Sequence, residues 1–138
     1  MISGQTGDRL HRIVRSRQTP GLRRCFGAAC GLSDQLTAGG SSLISCVLLE
    51  TELRRLAVRD NLQQLAVTAL LDRLDVIDLD REMYWEAGLL PEKTLRSLDA
   101  IHVAVALRAG ADVMVTYDVR QTAAAESSGL RVVAPGAE

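Results

Sequence analysis

The sequence predicts an α/β fold with a mainly parallel sheet. From Ser42 to Val133, short apolar runs of strand length alternate with helical segments, and the connections between them are short. Such alternation is typical of parallel sheets, whose successive strands are joined by helices. The length of 138 residues is that of one domain with a real core, so we expect residues 1–138 to form a single domain.

The first half of this alternating region predicts two strands and two helices. In order, they are a buried strand at 42–46, a helix at 47–58, a second helix at 61–74 and a short strand at 76–79. The second helix is expected to place one apolar stripe against the core, made of Leu62, Leu65, Ala66, Ala69 and Leu70.

The second half predicts three more helices and two more strands. They lie at 81–88, 97–109, 112–116, 119–127 and 130–133, the second helix beginning at Ser97 or Leu98. Asp80 can cap the first of these helices by accepting hydrogen bonds from its free N–H groups. Gly110 is suited to end the second, because glycine adopts the left-handed backbone of a helix terminus at little cost.

Residues 1–41 do not follow this pattern. Residues 1–21 are rich in Arg, Gly, Ser and Gln and lack the β-branched run of a strand, so we expect no strand there. Leu10, Ile13 and Val14 indicate no more than one short amphipathic turn. Residues 22–36 could form a helix, and 37–42 a loop of small residues.

The composition argues against several classes of protein. A net charge of −1 provides no overall basic field for nucleic acid, and one Trp, two Tyr and one Phe are too few for a base-stacking platform. No apolar run reaches the roughly 18 residues of a membrane span, and arginines occupy the place of a signal peptide's apolar segment. Three cysteines without paired spacing indicate reduced thiols, not disulfides or a zinc site, so we expect a cytoplasmic protein.

Three acidic residues are the candidates for function: Glu52, Asp99 and Asp118. Ligands of parallel sheets bind beyond the carboxyl ends of the strands. Asp118 follows one such end, and Glu52 lies on the helix that follows another. Converging carboxylates repel one another unless a cation lies between them, and Mg²⁺ or Mn²⁺ prefers oxygen ligands. Such a metal can activate water and neutralise charge on a phosphoryl oxygen.

Each of these acids also has a purely structural explanation. Asp99 stands in the first turn of a helix, where the dipole favours an acid, and Asp118 can cap the helix that follows it. Glu52 could be a solvated helix residue paired with Arg55 or Arg59. His102, on the apolar side of its helix, is expected to pack in the core and not to bind a ligand. The sequence contains no P-loop, GxGxxG, HExxH or GxSxG motif that would indicate other chemistry.

Several separated segments resemble one family. Residues 95–107 (LRSLDAIHVAVAL), 113–120 (VMVTYDVR) and 129–136 are similar to the C-terminal half of a PIN domain of the VapC toxin type. Residues 45–57 (SCVLLETELRRLA) resemble the family segment that carries its second acid, so the resemblance covers about residues 42–136.

The resemblance implies a three-layer α/β/α fold whose first strand lies in the centre of the sheet. It also implies a Mg²⁺-dependent endoribonuclease, with Mn²⁺ as the alternative metal, that is the toxin of a toxin–antitoxin pair. The family's second, third and fourth acids fall on Glu52, Asp99 and Asp118, which would hold the metal, and Thr116 matches a small hydroxyl residue near the site. The implied partners are a VapB-type antitoxin, RNA and a second copy of the chain.

The N-terminus departs from the family pattern, which opens with an apolar strand ending in Asp. Here that strand is degenerate or missing, and Asp8 is the only early acid. One hypothesis is that the first 40 or so residues are translated out of frame, because a shifted reading from Asp8 permits an apolar strand, a Glu and small residues. The nucleotide sequence before Ser42 decides this. Without a first acid, the nuclease would be weak or inactive.

The sequence is therefore compatible with three hypotheses about function. The chain is a metal-dependent ribonuclease toxin, a catalytically impaired protein of the same fold that only binds an antitoxin, or an α/β domain whose acids are merely helix caps. A nuclease assay that compares the chain with Asp99→Ala separates the first from the other two, and antitoxin binding separates the second from the third.

Overall fold

The structure is a computed structural model that describes residues 11–14, 42–116 and 118–133. Its five strands form one sheet, in which every pairing is parallel. The strands are β1 (His11–Val14), β2 (Ser42–Cys46), β3 (Asp75–Ile77), β4 (Val113–Val115) and β5 (Arg131–Val133). Their order across the sheet is β3-β2-β1-β4-β5, which confirms the parallel sheet and the central first strand.

Five helices lie in the described part of the chain. They are α1 (Leu48–Asp60), α2 (Gln64–Leu71), α3 (Arg81–Gly88), α4 (Ser97–Arg108) and α5 (Val119–Ser127). Strands β2 to β5 begin and end within two residues of their predicted bounds. The same holds for every described helix except α2. Asp80 caps α3 as predicted, its Oδ1 accepting from the N–H of Met83 at 2.8 Å. Gly110, with a φ of +66°, follows α4 in the left-handed conformation expected there.

The expectation that residues 1–21 contain no strand is wrong. His11–Val14 forms the central strand, with Ile13 paired to Ile44 on one side and to Met114 on the other. The reason is tertiary context: β2 and β4 each present a row of N–H and C=O groups that need a partner between them. A four-residue segment with two β-branched residues is enough to supply that ladder, although it gives little signal in the sequence.

Other expectations for the N-terminal region lie outside the described residues. They are the helix at 22–36, most of the small-residue loop at 37–42, and Asp8 as an early acid. The hypothesis of an out-of-frame segment also stays a prediction, to be decided by the nucleotide sequence.

The sheet separates two apolar clusters, because successive side chains of a strand point to opposite faces. Leu43 and Val115 pack on one face with residues of α1 and α2. Ile44, Cys46 and Met114 pack on the other face with α3, α4 and α5. The fold therefore has the three α/β/α layers that the resemblance implied.

Helix α2 is shorter than the prediction and buries a different face. Asn61 adopts a left-handed φ of 55° and ends α1, so α2 begins only at Gln64. Leu65 is 75% exposed, and the residues that reach the core are Val67 and Leu70. The predicted stripe is therefore wrong for Leu65, and also for Ala66 and Ala69, which are exposed. Gln63 is extended, with φ −71° and ψ 132°, so Leu62 lies outside α2 and does not share a helical stripe with Leu65, Ala66 and Ala69.

Side-chain clamps join neighbouring helices on each face. Arg54 of α1 donates to Gln64 Oε1 and Thr68 Oγ1 of α2, at 3.2 Å in each case. Arg108 of α4 pairs with Asp80 Oδ2 at 3.2 Å and with Glu86 Oε1 at 2.5 Å, which ties α4 to α3. Within the described residues, the model has no helix that combines the length and the apolar character needed to cross a membrane.

Leu70 and Leu65 provide a matched test of how α2 packs. Because Leu70 is 2% exposed, we expect Leu70→Ala to lower the free energy of unfolding by about 2–5 kcal/mol. Leu65→Ala removes the same atoms from an exposed position and should change it by about 0.5 kcal/mol or less. Urea denaturation followed by circular dichroism measures both. Equal losses in the two variants would contradict the observed orientation of α2.

Candidate functional site

The three predicted acids lie on elements that begin at the carboxyl end of the sheet or pack against it. Glu52 is in the second turn of α1, which directly follows β2. Asp118 lies between β4 and α5, and Asp99 is in the first turn of α4. The parallel topology therefore places two of the acids after β2 and β4, the strands on either side of β1, while α4 carries the third.

Asp99 is the most deeply buried of the three, with 1% of its surface exposed. Its position in the first turn of α4 confirms the structural expectation, since free N–H groups and the helix dipole favour a carboxylate there. The burial of Asp99 shows that it is not a solvated surface acid, and its role as a metal ligand stays a prediction.

Asp118 is the N-cap of α5, as its structural explanation predicted. Its Oδ1 accepts from the backbone N–H of Gln121 at 2.9 Å. Its own backbone N–H donates to Thr116 Oγ1 at 3.1 Å, so the hydroxyl of Thr116 fixes the turn between β4 and α5. The helix cap uses Oδ1 of Asp118, so the second carboxylate oxygen, Oδ2, is not part of the cap.

Gln121 is a buried polar residue that joins two of the acid-bearing elements. Its Oε1 accepts from Thr116 Oγ1 at 2.5 Å, and its Nε2 donates to the backbone carbonyl of Asp99 at 3.3 Å. Our reading of the sequence missed this residue. The available signal was its spacing, because a Gln three positions after a helix cap is typical of a capping box. Here the Gln121 side chain binds Asp99 of α4 and Thr116, which follows β4, so it connects elements that are distant in sequence.

Glu52 is hydrogen-bonded to His102, and its side chain is 13% exposed. The distance from Glu52 Oε1 to His102 Nε2 is 2.6 Å. The other ring nitrogen of His102, Nδ1, lies 3.6 Å from Cys46 Sγ. His102 is completely buried, which confirms the expectation of a core histidine, but it contacts a candidate acid. The alternative of a solvated helix face does not describe Glu52.

Burial and hydrogen bonding act on His102 in opposite directions. Burial by itself lowers the pKa of the imidazole, because it disfavours the charged ring. The hydrogen bonds and charges of Cys46 and Glu52 outweigh this effect, so the pKa of His102 lies above its ordinary value of 6.5. Glu52 and Cys46 therefore favour the protonated ring by more than burial disfavours it. Cys46 is a free, buried thiol, in agreement with the expected reduced state.

Hydrogen bonds link the three acids through α4. Asp99 and His102 are one helical turn apart, which places them on the same side of this helix. His102 reaches Glu52, and the carbonyl of Asp99 reaches Gln121, whose N–H binds Asp118. In the described part of the chain, no group of three His, Cys, Asp or Glu side chains is arranged to hold a metal ion. The structure therefore connects the acids through neighbouring residues and leaves their joint metal binding as a prediction.

Comparison with known proteins agrees with this fold and with the segments singled out in the sequence. The PIN domain family model matches residues 32–127. The chain is 43% identical over 98 residues to Ribonuclease VapC35 of Mycobacterium tuberculosis, which covers 67% of this chain and 73% of that protein. It is 43% identical over 67 residues to Ribonuclease VapC46 of the same organism, covering 47% of this chain and 52% of that relative.

A solved structure is similar in fold. The protein PAE2754 from Pyrobaculum aerophilum superimposes with a TM-score of 0.62 at 15% sequence identity, covering 96% of this chain and 90% of the other. At this identity the likeness bears on the fold alone. Together with the family match and the relatives in sequence, it leads to one assignment: the chain belongs to the PIN domain family, among its VapC members.

Proposed function

We propose that this protein is a metal-dependent endoribonuclease and the toxin of a VapBC-type toxin–antitoxin pair. The observation that carries the proposal is that hydrogen bonds tie α4, which carries Asp99, to Glu52 through His102 and to the Asp118 cap through Gln121. The class of reaction follows from the relatives, which are named ribonucleases. The two arguments are independent, because one rests on geometry and the other on similarity.

The donor set suits a hard divalent cation. Carboxylate oxygens are the ligands that Mg²⁺ and Mn²⁺ prefer, and all three proposed ligands are carboxylates. In this proposal Asp99 is the inner ligand, Asp118 uses its second oxygen while Oδ1 keeps the helix cap, and Glu52 is held by His102. A bound Mg²⁺ or Mn²⁺ would supply an activated water and neutralise charge on the phosphate that is cut.

Two exposed arginines flank the acids in sequence and are suited to the substrate. Arg96 immediately precedes α4, and Arg120 lies in the first turn of α5. Both are exposed, so their guanidinium groups can bind the phosphates of RNA without displacing core contacts. They supply locally the positive charge that the chain lacks overall, at a net charge of −1.

The proposed partners are a VapB-type antitoxin and a second copy of the chain. An antitoxin arginine directed at the carboxylates would form charge-assisted hydrogen bonds with them and block access of RNA. This proposal rests on the names of the relatives and on the acidic site.

One observation favours the impaired protein as a second candidate. In the family pattern the first acid ends the first strand, but here β1 ends at Val14 and the next residues are Arg15, Ser16 and Arg17. A site with one acid fewer would bind its metal more weakly. Antitoxin binding without RNA cleavage would support this candidate, and binding together with cleavage would support an active toxin.

Substitution of Asp99 tests the nuclease proposal. We expect Asp99→Asn to lower the rate of RNA cleavage by about 100-fold or more, because it removes the charge of the inner ligand and keeps the shape of the side chain. A fluorogenic RNA substrate with Mg²⁺ in excess measures the rate. Glu126→Gln, at an exposed acid of α5, is the matched control and should retain full activity. Full activity of Asp99→Asn would contradict the proposal.

Removal of divalent ions tests the metal. Treatment with a chelator is expected to abolish RNA cleavage, and excess Mg²⁺ or Mn²⁺ should restore it, because in this proposal the metal activates the attacking water. Separate titrations with the two ions show which one supports the faster reaction. Cleavage that continues unchanged in the chelator would rule out a metal-dependent mechanism.

A further inference from the structure

We propose that His102 is a positioning residue that holds the carboxylate of Glu52 in the orientation in which it binds the metal. The inference rests on the proposed function, since it assumes that Glu52 is a metal ligand. It adds a role for a buried side chain that does not itself reach the metal or the RNA.

The contact between the two residues is short and sheltered. His102 Nε2 and Glu52 Oε1 are 2.6 Å apart, and His102 has no exposed surface. Glutamate has a long side chain with several rotamers, so an unrestrained carboxylate on α1 would be spread over several positions. A hydrogen bond to a rigid buried ring favours one of them.

The bond to Glu52 fixes where the ring carries its proton. An ionised carboxylate can only accept, so Nε2 of His102 must be the donor. Nδ1 faces the Cys46 thiol at 3.6 Å, and this second contact orients the ring. Nε2 carries a hydrogen both in this neutral tautomer and in the protonated ring. The positioning role therefore does not depend on the charge of His102.

Helix α4 combines this role with a metal ligand of its own. Asp99 and His102 are one turn apart on the same side of α4, and the residues from Asp99 to Ala106 are all buried. The helix thus presents one ligand directly and fixes another through a hydrogen bond. Hydrogen-bonded neighbours of metal ligands characteristically change metal affinity or activity by about 10–100-fold when they are removed.

Binding of Mn²⁺ to the full chain without RNA tests this inference. Calorimetry is expected to show that His102→Leu weakens Mn²⁺ binding by about 10–100-fold, because Glu52 loses the hydrogen bond from His102 Nε2. His102→Gln should restore most of the affinity, since the amide can again donate to Glu52. Val105→Ala, at a fully buried position of the same helix, is the control for disturbed packing and should bind Mn²⁺ like the original chain.

Glu52→Gln distinguishes failure of the inference from failure of the proposed function. If His102→Leu is folded and binds Mn²⁺ normally while Glu52→Gln does not, the positioning role is wrong and the ligand assignment stands. If both bind normally, Glu52 is not a ligand and the two proposals fail together. Should His102→Leu not fold, ¹⁵N NMR of the ring in the unaltered chain decides. Protonated Nε2, with a signal that shifts in Glu52→Gln, supports the role, and unprotonated Nε2 overturns it.

Discussion

The burial of helix α4 is the constraint on which the rest of the structure depends. Its residues from Asp99 to Ala106 are all buried, so the helix has neighbours on every side. Most of these residues are small or apolar, but Asp99 and His102 are not, and buried polar groups need hydrogen-bond partners. The ring of His102 contacts Glu52 from α1 and Cys46 from β2, and the backbone carbonyl of Asp99 accepts from Gln121 of α5. These contacts tie α4 to the elements that carry the other two acids.

The sequence predicted most of the fold, because most of it follows from local pattern. The alternation of apolar runs and helical segments led to β2 through β5 and to all five described helices, and Asp80 and Gly110 marked helix ends through known capping chemistry. Strand β1 was not predicted, because its position is defined by its pairing with β2 and β4. Ile13 and Val14 alone give little strand signal in the sequence. The face of α2 was assigned wrongly because Asn61 ends α1 and Gln63 is extended, so Leu62 does not belong to the same helix as Leu65.

The site could be predicted only in part. Glu52, Asp99 and Asp118 were identified from their places after strands and in helix turns, and from the family resemblance. The roles of His102 and Gln121 could not be read in the same way, because their partners are distant along the chain. Glu52 and His102 are 50 residues apart, and Gln121 and Asp99 are 22 apart. Contacts between residues this far apart leave no local pattern, although the capping-box spacing of Gln121 from Asp118 was a signal for that residue.

The central claim is that one divalent ion is held jointly by acids of three separate elements. A crystal of this chain grown with Mn²⁺ tests it most directly, since the anomalous signal of manganese locates the ion independently of any assumed ligand. The account predicts one ion with Asp99 as a direct ligand, at a metal–oxygen distance of about 2.1–2.2 Å, and with Asp118 and Glu52 bound directly or through a water. Manganese found only at other carboxylates, or absent from this region at saturating concentration, would contradict it.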